Sequence, residues 1–76
     1  MKNNVFNRYI WLLNTLLQAG RLSYKEIKDR WQHSYLNEGQ NLPLRTFHMH
    51  RNAVEEIFGV NIECDPSDGY KYYIED

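Results

Sequence analysis

The feature that most constrains this chain is a change of hydrophobic period at Gly59. After it, Val60, Ile62 and Cys64 alternate with Asn61 and Glu63, and Tyr70, Tyr72 and Ile74 alternate with Lys71, Tyr73 and Glu75. That period of two belongs to strands with one buried face. Between the two runs, Asp65 to Gly69 reads DPSDG, strong turn chemistry, so a β-hairpin is expected. Before Gly59 the apolar residues recur at helical spacing instead. A chain of 76 residues has room for one domain with one modest core, so whatever helices precede the hairpin must pack on it.

Tyr9, Ile10, Leu13, Leu16 and Leu17, with Phe6 a turn earlier, follow the spacing of a helix with one buried stripe. Trp11 falls roughly opposite that stripe. Gly20 ends this helix, since glycine accepts the left-handed conformation common just past a helix C-terminus. Ser23 followed by Glu26 is a capping box, and Leu22 and Ile27 stand where a hydrophobic staple would clasp the entering chain. A second helix is therefore expected from about Tyr24, with Tyr24, Ile27 and Trp31 inward.

The polar stretch QHSYLNEGQN reads as the end of that helix and a loop. Pro43 suits the first turn of a third helix, where its missing amide proton costs nothing. Phe47, Val54, Ile57 and Phe58 recur on one face of that helix and Gly59 stops it. Three helices followed by a two-stranded hairpin is the element order of an α+β winged helix-turn-helix, here a single domain over residues 1–76. The second and third helices would form the helix-turn-helix and the hairpin the wing.

On a helical wheel with Phe47 at zero, Val54 and Phe58 fall within about 20° and Ile57 about 80° to one side. The opposite arc carries Arg45, Met49 and Asn52, flanked by His48, with Glu56 a turn beyond. A helix entering a major groove needs such groups at its N-terminal half. Arginine pairs with guanine O6 and N7, asparagine with adenine N6 and N7, and methionine meets a thymine methyl. Arg45, Met49 and Asn52 are thus the candidate base readers. Thr46, His48 and His50 lie to the sides, where backbone phosphates would pass. Arg51 sits near the core edge, its stem free to run along Phe47 and bring its charge to the backbone. Tyr24 and Lys25, at the start of the second helix, are further backbone candidates. On the hairpin the candidate is Lys71, with Tyr70 or Tyr73. Asp65 and Asp68 put negative charge at the hairpin tip, so a weakly contributing wing is expected.

Charge agrees with an anionic partner only locally. From Met1 to Val54 eight basic residues face three acids, a surplus of +5. From Glu55 onward seven acids face Lys71 alone, a deficit of −6, and the whole chain carries −1. A basic face still acts over a Debye length of about 10 Å.

Arg8 to Ile27 (RYIWLLNTLLQAGRLSYKEI), Leu42 to Cys64 (LPLRTFHMHRNAVEEIFGVNIEC) and the closing GYKYYIED resemble the N-terminal, DeoR-like winged helix-turn-helix domain of WYL-domain transcriptional regulators. The likeness covers nearly the whole chain, and its most specific part is RTFHMHRNAVEEIFG followed by a short strand and a tyrosine-rich one. It implies promoter DNA binding by the helix starting near Leu44, through Arg45, Thr46, His48, Met49 and Asn52. A C-terminal WYL region, associated in that family with ligand sensing, has no counterpart in these residues. The connection between the second and third helices is also longer than the three or four residues of a simple helix-turn-helix.

Other chemistries find little support. Cys64 is the only cysteine, so no internal disulfide forms and a reducing cytoplasm fits. His48 and His50 diverge by about 200° on a helix, so a metal would need His33 or Cys64 to converge on one of them, and no metal or other cofactor is expected. There is no nucleophile elbow, phosphate loop or paired-acid motif, so no catalytic residue is assigned. Tyr9 to Leu17 is far shorter than the roughly 20 residues of a membrane span, and MKNNVFNR lacks a signal-peptide core. The competing reading is a protein-interaction winged helix that uses an outward Trp11 on the first helix as an anchor for a subunit or domain. Alternatively, Trp11 packs on the N-terminal segment or the hairpin. Double-stranded DNA is the expected partner, with a second copy of the chain as a candidate dimer mate.

Overall fold

A computed structural model describes residues 5–37 and 39–75. The charges of Lys2, Glu38 and Asp76 counted above lie outside the described residues. The elements run α1 (Val5–Ala19), β1 (Leu22–Ser23), α2 (Tyr24–Gln32), a 3-10 turn (Tyr35–Asn37), α3 (Leu44–Phe58), β2 (Asn61–Asp65), a second 3-10 turn (Pro66–Asp68) and β3 (Lys71–Glu75). The described residues form an α+β fold, with three α-helices and a three-stranded antiparallel sheet, an arrangement compatible with a winged helix.

The sheet differs from the two-stranded hairpin expected. Its order is β1-β3-β2, with Leu22 opposite Tyr72 and Ser23 opposite Lys71. Two residues before a helix leave no periodicity to read, so β1 is invisible locally. Its effect is large, because the N-cap of α2 becomes part of the sheet. Ser23 Oγ accepts from the Glu26 amide at 3.2 Å and the Glu26 carboxylate accepts from the Ser23 amide at 2.9 Å, the reciprocal bonds of the capping box.

The long connection to α3 is stitched down. Trp31 Nε1 donates to the Gln40 carbonyl at 2.9 Å, and Asn37 Nδ2 donates to the carbonyls of Trp31 and Gln32 at the end of α2. Tyr24 donates its hydroxyl to the Leu42 carbonyl at 2.8 Å, tying the start of α2 to the start of α3. Pro43 is the N-cap rather than a first-turn residue, and Gly59 ends α3 at φ 67°, in the left-handed region expected of it.

Phe47, Val54, Ile27 and Trp31 are buried at the centre, joined by Leu12 and Leu16 from α1, Leu22 from β1, Leu42 before α3, and Ile62 and Tyr72 from the hairpin. The stripe of α1 is rotated from the one expected. Leu12 and Leu16 are its buried residues, whereas Phe6 and Leu17 are exposed. The reason is that α1 is gripped on two sides. Tyr9 meets His50 of α3 with ring centroids 5.4 Å apart, and Trp11 meets Trp31 of α2 edge-on at 5.1 Å. Trp11 is therefore half-buried, with one side of its ring on Trp31 of α2. Ile57, expected in the core of α3, is 49% exposed.

Two side chains of α3 hold the edge strand. Arg51 donates to the Ile62 carbonyl from Nε at 3.2 Å and from its terminal nitrogen at 2.7 Å, while Glu55 accepts from the Ile62 amide at 2.8 Å. Both backbone groups of one β2 residue are thus satisfied by the helix, which also protects that edge from pairing with another chain.

Among the described residues His50 is the buried polar one, 9% exposed. Burial, assisted by the nearby Arg8 charge, holds its pKa below the ordinary histidine value. The unfolded chain then binds the proton more readily than the fold, so stability falls as pH drops through about 6.5. The melting temperature is expected to decline between about pH 7 and pH 5, and His50→Leu should flatten that slope in thermal denaturation followed by circular dichroism. In the same assay Ser23→Ala, which breaks the capping box and loosens the β1 junction, should cost about 1 kcal/mol, a fall of roughly 4–8 °C.

Candidate nucleic-acid interface

Burying Phe47, His50 and Val54 fixes the rotation of α3 and leaves its opposite side in solvent. Arg45, Met49, Asn52 and Glu56 are all exposed there, Met49 to 60%. Arg45, Met49 and Asn52 stand at i, i+4 and i+7, so they form one ridge about 10 Å long, roughly three base-pair steps. Leu44, the first residue of α3, is also 48% exposed, an apolar group that sequence reasoning left out.

The start of α3 is also electrically suited to an anion. Pro43 offers no side-chain cap and the first turn contains no acid, so the leading amides keep unsatisfied donors and the positive end of the helix dipole is unopposed. The start of α2 is the reverse case. The Ser23 and Glu26 amides are engaged by the capping box, and the Glu26 carboxylate stands there, held below the ordinary carboxylate pKa chiefly by the Ser23 amide. The phosphate site expected at Tyr24 and Lys25 is weakened accordingly. Tyr24 is a brace: its hydroxyl is spent on Leu42 and its ring lies 5.6 Å from Phe47. Lys25 remains exposed, on the rim of a shallow hollow with Leu22, Glu26, Asp29 and Arg30.

The remaining backbone candidates divide. Thr46 is half-buried at the side of α3. His48 is half-buried too, its ring beside the Phe47–Tyr72 pair, 5.3 Å from Phe47 and 6.3 Å from Tyr72. His50 is not on the outer face at all: it points into the α1–α3 contact, where a phosphate has no access. The wheel already carried the warning, since His50 lies about 60° from Phe47, nearer the core arc than Ile57. Arg51 has its guanidinium on the Ile62 carbonyl and over the Tyr72 ring at 5.3 Å, so it braces the hairpin rather than reaching outward. Lys71 is half-buried, opposite Asp65 on β2 and Ser23 on β1.

The hairpin tip carries less negative charge than its sequence suggests. Arg21 binds Asp65 at 3.1 Å, stands 3.7 Å from Asp68 and covers the Tyr73 ring at 4.1 Å. Asp65 keeps its charge chiefly through the Ser67 hydroxyl and amide, with Arg21 adding to them. A pair separated by 44 positions has no local signature. Inside the sheet, burial and the neighbouring Cys64 raise the Tyr72 hydroxyl above its ordinary pKa.

Among the described residues no group of three or more histidine, cysteine, aspartate or glutamate side chains converges as metal ligands, and His48 and His50 face different neighbours. No helix among them is long and apolar enough to cross a membrane. The chain matches no protein-family model, no curated protein and no solved structure, so the reading of this surface rests on its geometry and its sequence.

Proposed function

We propose that this chain is a sequence-specific, double-stranded DNA-binding domain of a transcriptional regulator, a winged helix whose α3 enters the major groove and whose β2–β3 hairpin is the wing. The observation that carries the reading is the ridge of Arg45, Met49 and Asn52, exposed on a helix whose other side is locked into the core. Such side chains suit a guanine, a thymine methyl and an adenine in turn. The uncapped start of α3 favours a phosphate beside that ridge. Of the backbone candidates named from the sequence, Lys25 and Lys71 are the cations that remain, with Thr46 and His48 at the groove wall. The resemblance to the DNA-binding domain of WYL-domain regulators points the same way, and a cytoplasmic regulator is the setting it implies. A single module of this size has a small footprint, so a second copy of the chain would raise affinity through a two-fold half-site arrangement.

The second reading is a protein-interaction domain. It draws on a shallow groove lined by Ile10, Trp11 and Leu36, with Asn7, Asn14 and Thr15 along it. Binding there would respond little to salt, whereas a phosphate-dominated interface weakens steeply as salt rises.

Fluorescence anisotropy with a labelled duplex selected from a randomised pool tests the proposal. Arg45→Ala and Asn52→Ala should each weaken binding by about 10- to 100-fold and relax the preference at one base position. Lys25→Ala should weaken all duplexes alike and reduce the salt slope by about one. Equal binding by the parent, Arg45→Ala and Asn52→Ala at every salt concentration would refute the base-reading assignment.

A further inference from the structure

One face of α1 is left without a partner. Asn7, Asn14 and Gln18 fall within about 40° of one another on its wheel, and with Ile10, Trp11 and Leu36 of the first 3-10 turn they line a groove. None of the residues lining it is charged. Its walls are held in advance: Trp11 meets Trp31 at 5.1 Å, and Asn37, beside Leu36, bonds the end of α2 through Nδ2.

The groove presents donors that the fold does not use. Asn7, Asn14 and Gln18 make no side-chain hydrogen bond among the described residues. The Trp11 indole N–H has no partner there either, and since no buried side-chain nitrogen or oxygen among those residues lacks one, this group is open to solvent. Asn7 and Asn14 stand seven positions apart, about 10 Å along α1, with Trp11 between them.

These features select an occupant. A charged segment would lose hydration against an uncharged lining that gives nothing in return. An added strand needs a free sheet edge and an added helix needs a long apolar trough, and a helix face with amides at both ends offers neither. A polyproline II segment fits. Its prolines lack N–H and leave carbonyls that need donors, it repeats every three residues or about 9 Å, and its preformed backbone loses little entropy on docking against an aromatic ring.

We propose that this groove docks an uncharged, proline-rich segment of a partner protein, its carbonyls accepting from Trp11, Asn7 and Asn14 and its rings resting against Trp11 and Leu36. The proposal rests on the protein-interaction reading for the groove and supplies its occupant. It does not compete with a duplex, because the groove adjoins the end of α2 whereas Tyr24 ties the start of α3 to the start of α2.

A blocked proline decapeptide titrated into isotope-labelled protein and followed by nuclear magnetic resonance tests it, with a blocked glycine–serine decapeptide alongside. The proline peptide should shift the Trp11 indole and the side-chain amides of Asn7, Asn14 and Gln18, with an affinity that salt does not change. Asn14→Asp lies on the surface, so it should melt like the parent yet bind about fivefold more weakly. Trp11→Phe keeps a ring and removes the donor, and should lose about the same affinity. Arg45→Ala should bind the peptide like the parent. Parental affinity in both Asn14→Asp and Trp11→Phe would overturn the docking proposal. Equal shifts from the two peptides would overturn the polyproline occupant and leave the groove a peptide site. No shift along α1 from either at millimolar concentration would overturn the groove as an interaction surface as well.

Discussion

The burial of one ring, that of Phe47, organises everything else. It is fully enclosed, meets Tyr72 edge-on at 4.9 Å and lies 5.6 Å from Tyr24, so the third helix, the hairpin and the second helix all converge on it. Truncating such a side chain costs about 3–5 kcal/mol, comparable with the whole stability of a small domain at the low end of about 5–15 kcal/mol. Around that ring the polar bonds fall into place. Arg51 and Glu55 hold Ile62, and Tyr24 holds Leu42, so α3 is fixed in rotation and in height against the sheet.

A helix fixed in this way presents its other side without further ordering. Arg45 and Asn52 lie on a rigid element, so in the proposed complex the ordering cost on the protein side falls on their side chains, added to the loss of translation and rotation. Four of the ten acids are put to structural use. Glu26 closes the capping box, Glu55 supports β2, and Asp65 and Asp68 meet Arg21. A net charge of −1 therefore coexists with an α3 start that has no acid in its first turn.

Much of this was legible because it is local. The capping box needs four consecutive residues, the turn five, and the outer ridge of α3 follows from helical spacing once Phe47 is known to be buried. What escaped depends on contacts distant in sequence. Trp11 looks outward on a wheel of α1 alone and turns inward only when Trp31 arrives from α2. β1 exists because β3 pairs with it, and the role of Arg21 is set by acids 44 and 47 residues away. His50 is different: its angle placed it near the core, and the polarity of its ring outweighed the geometry in the reading. The left-handed backbone of Tyr70 is likewise visible only in the structure.

The central claim is that a buried Phe47 face obliges the Arg45–Asn52 ridge to meet a DNA duplex. Nuclear magnetic resonance on isotope-labelled protein titrated with that duplex tests it most directly. The account expects the largest amide and side-chain shifts at Leu44, Arg45, Met49 and Asn52, with Ile10, Trp11 and Thr15 of α1 unmoved. Shifts concentrated on α1, or none along α3 at saturating duplex, would contradict it.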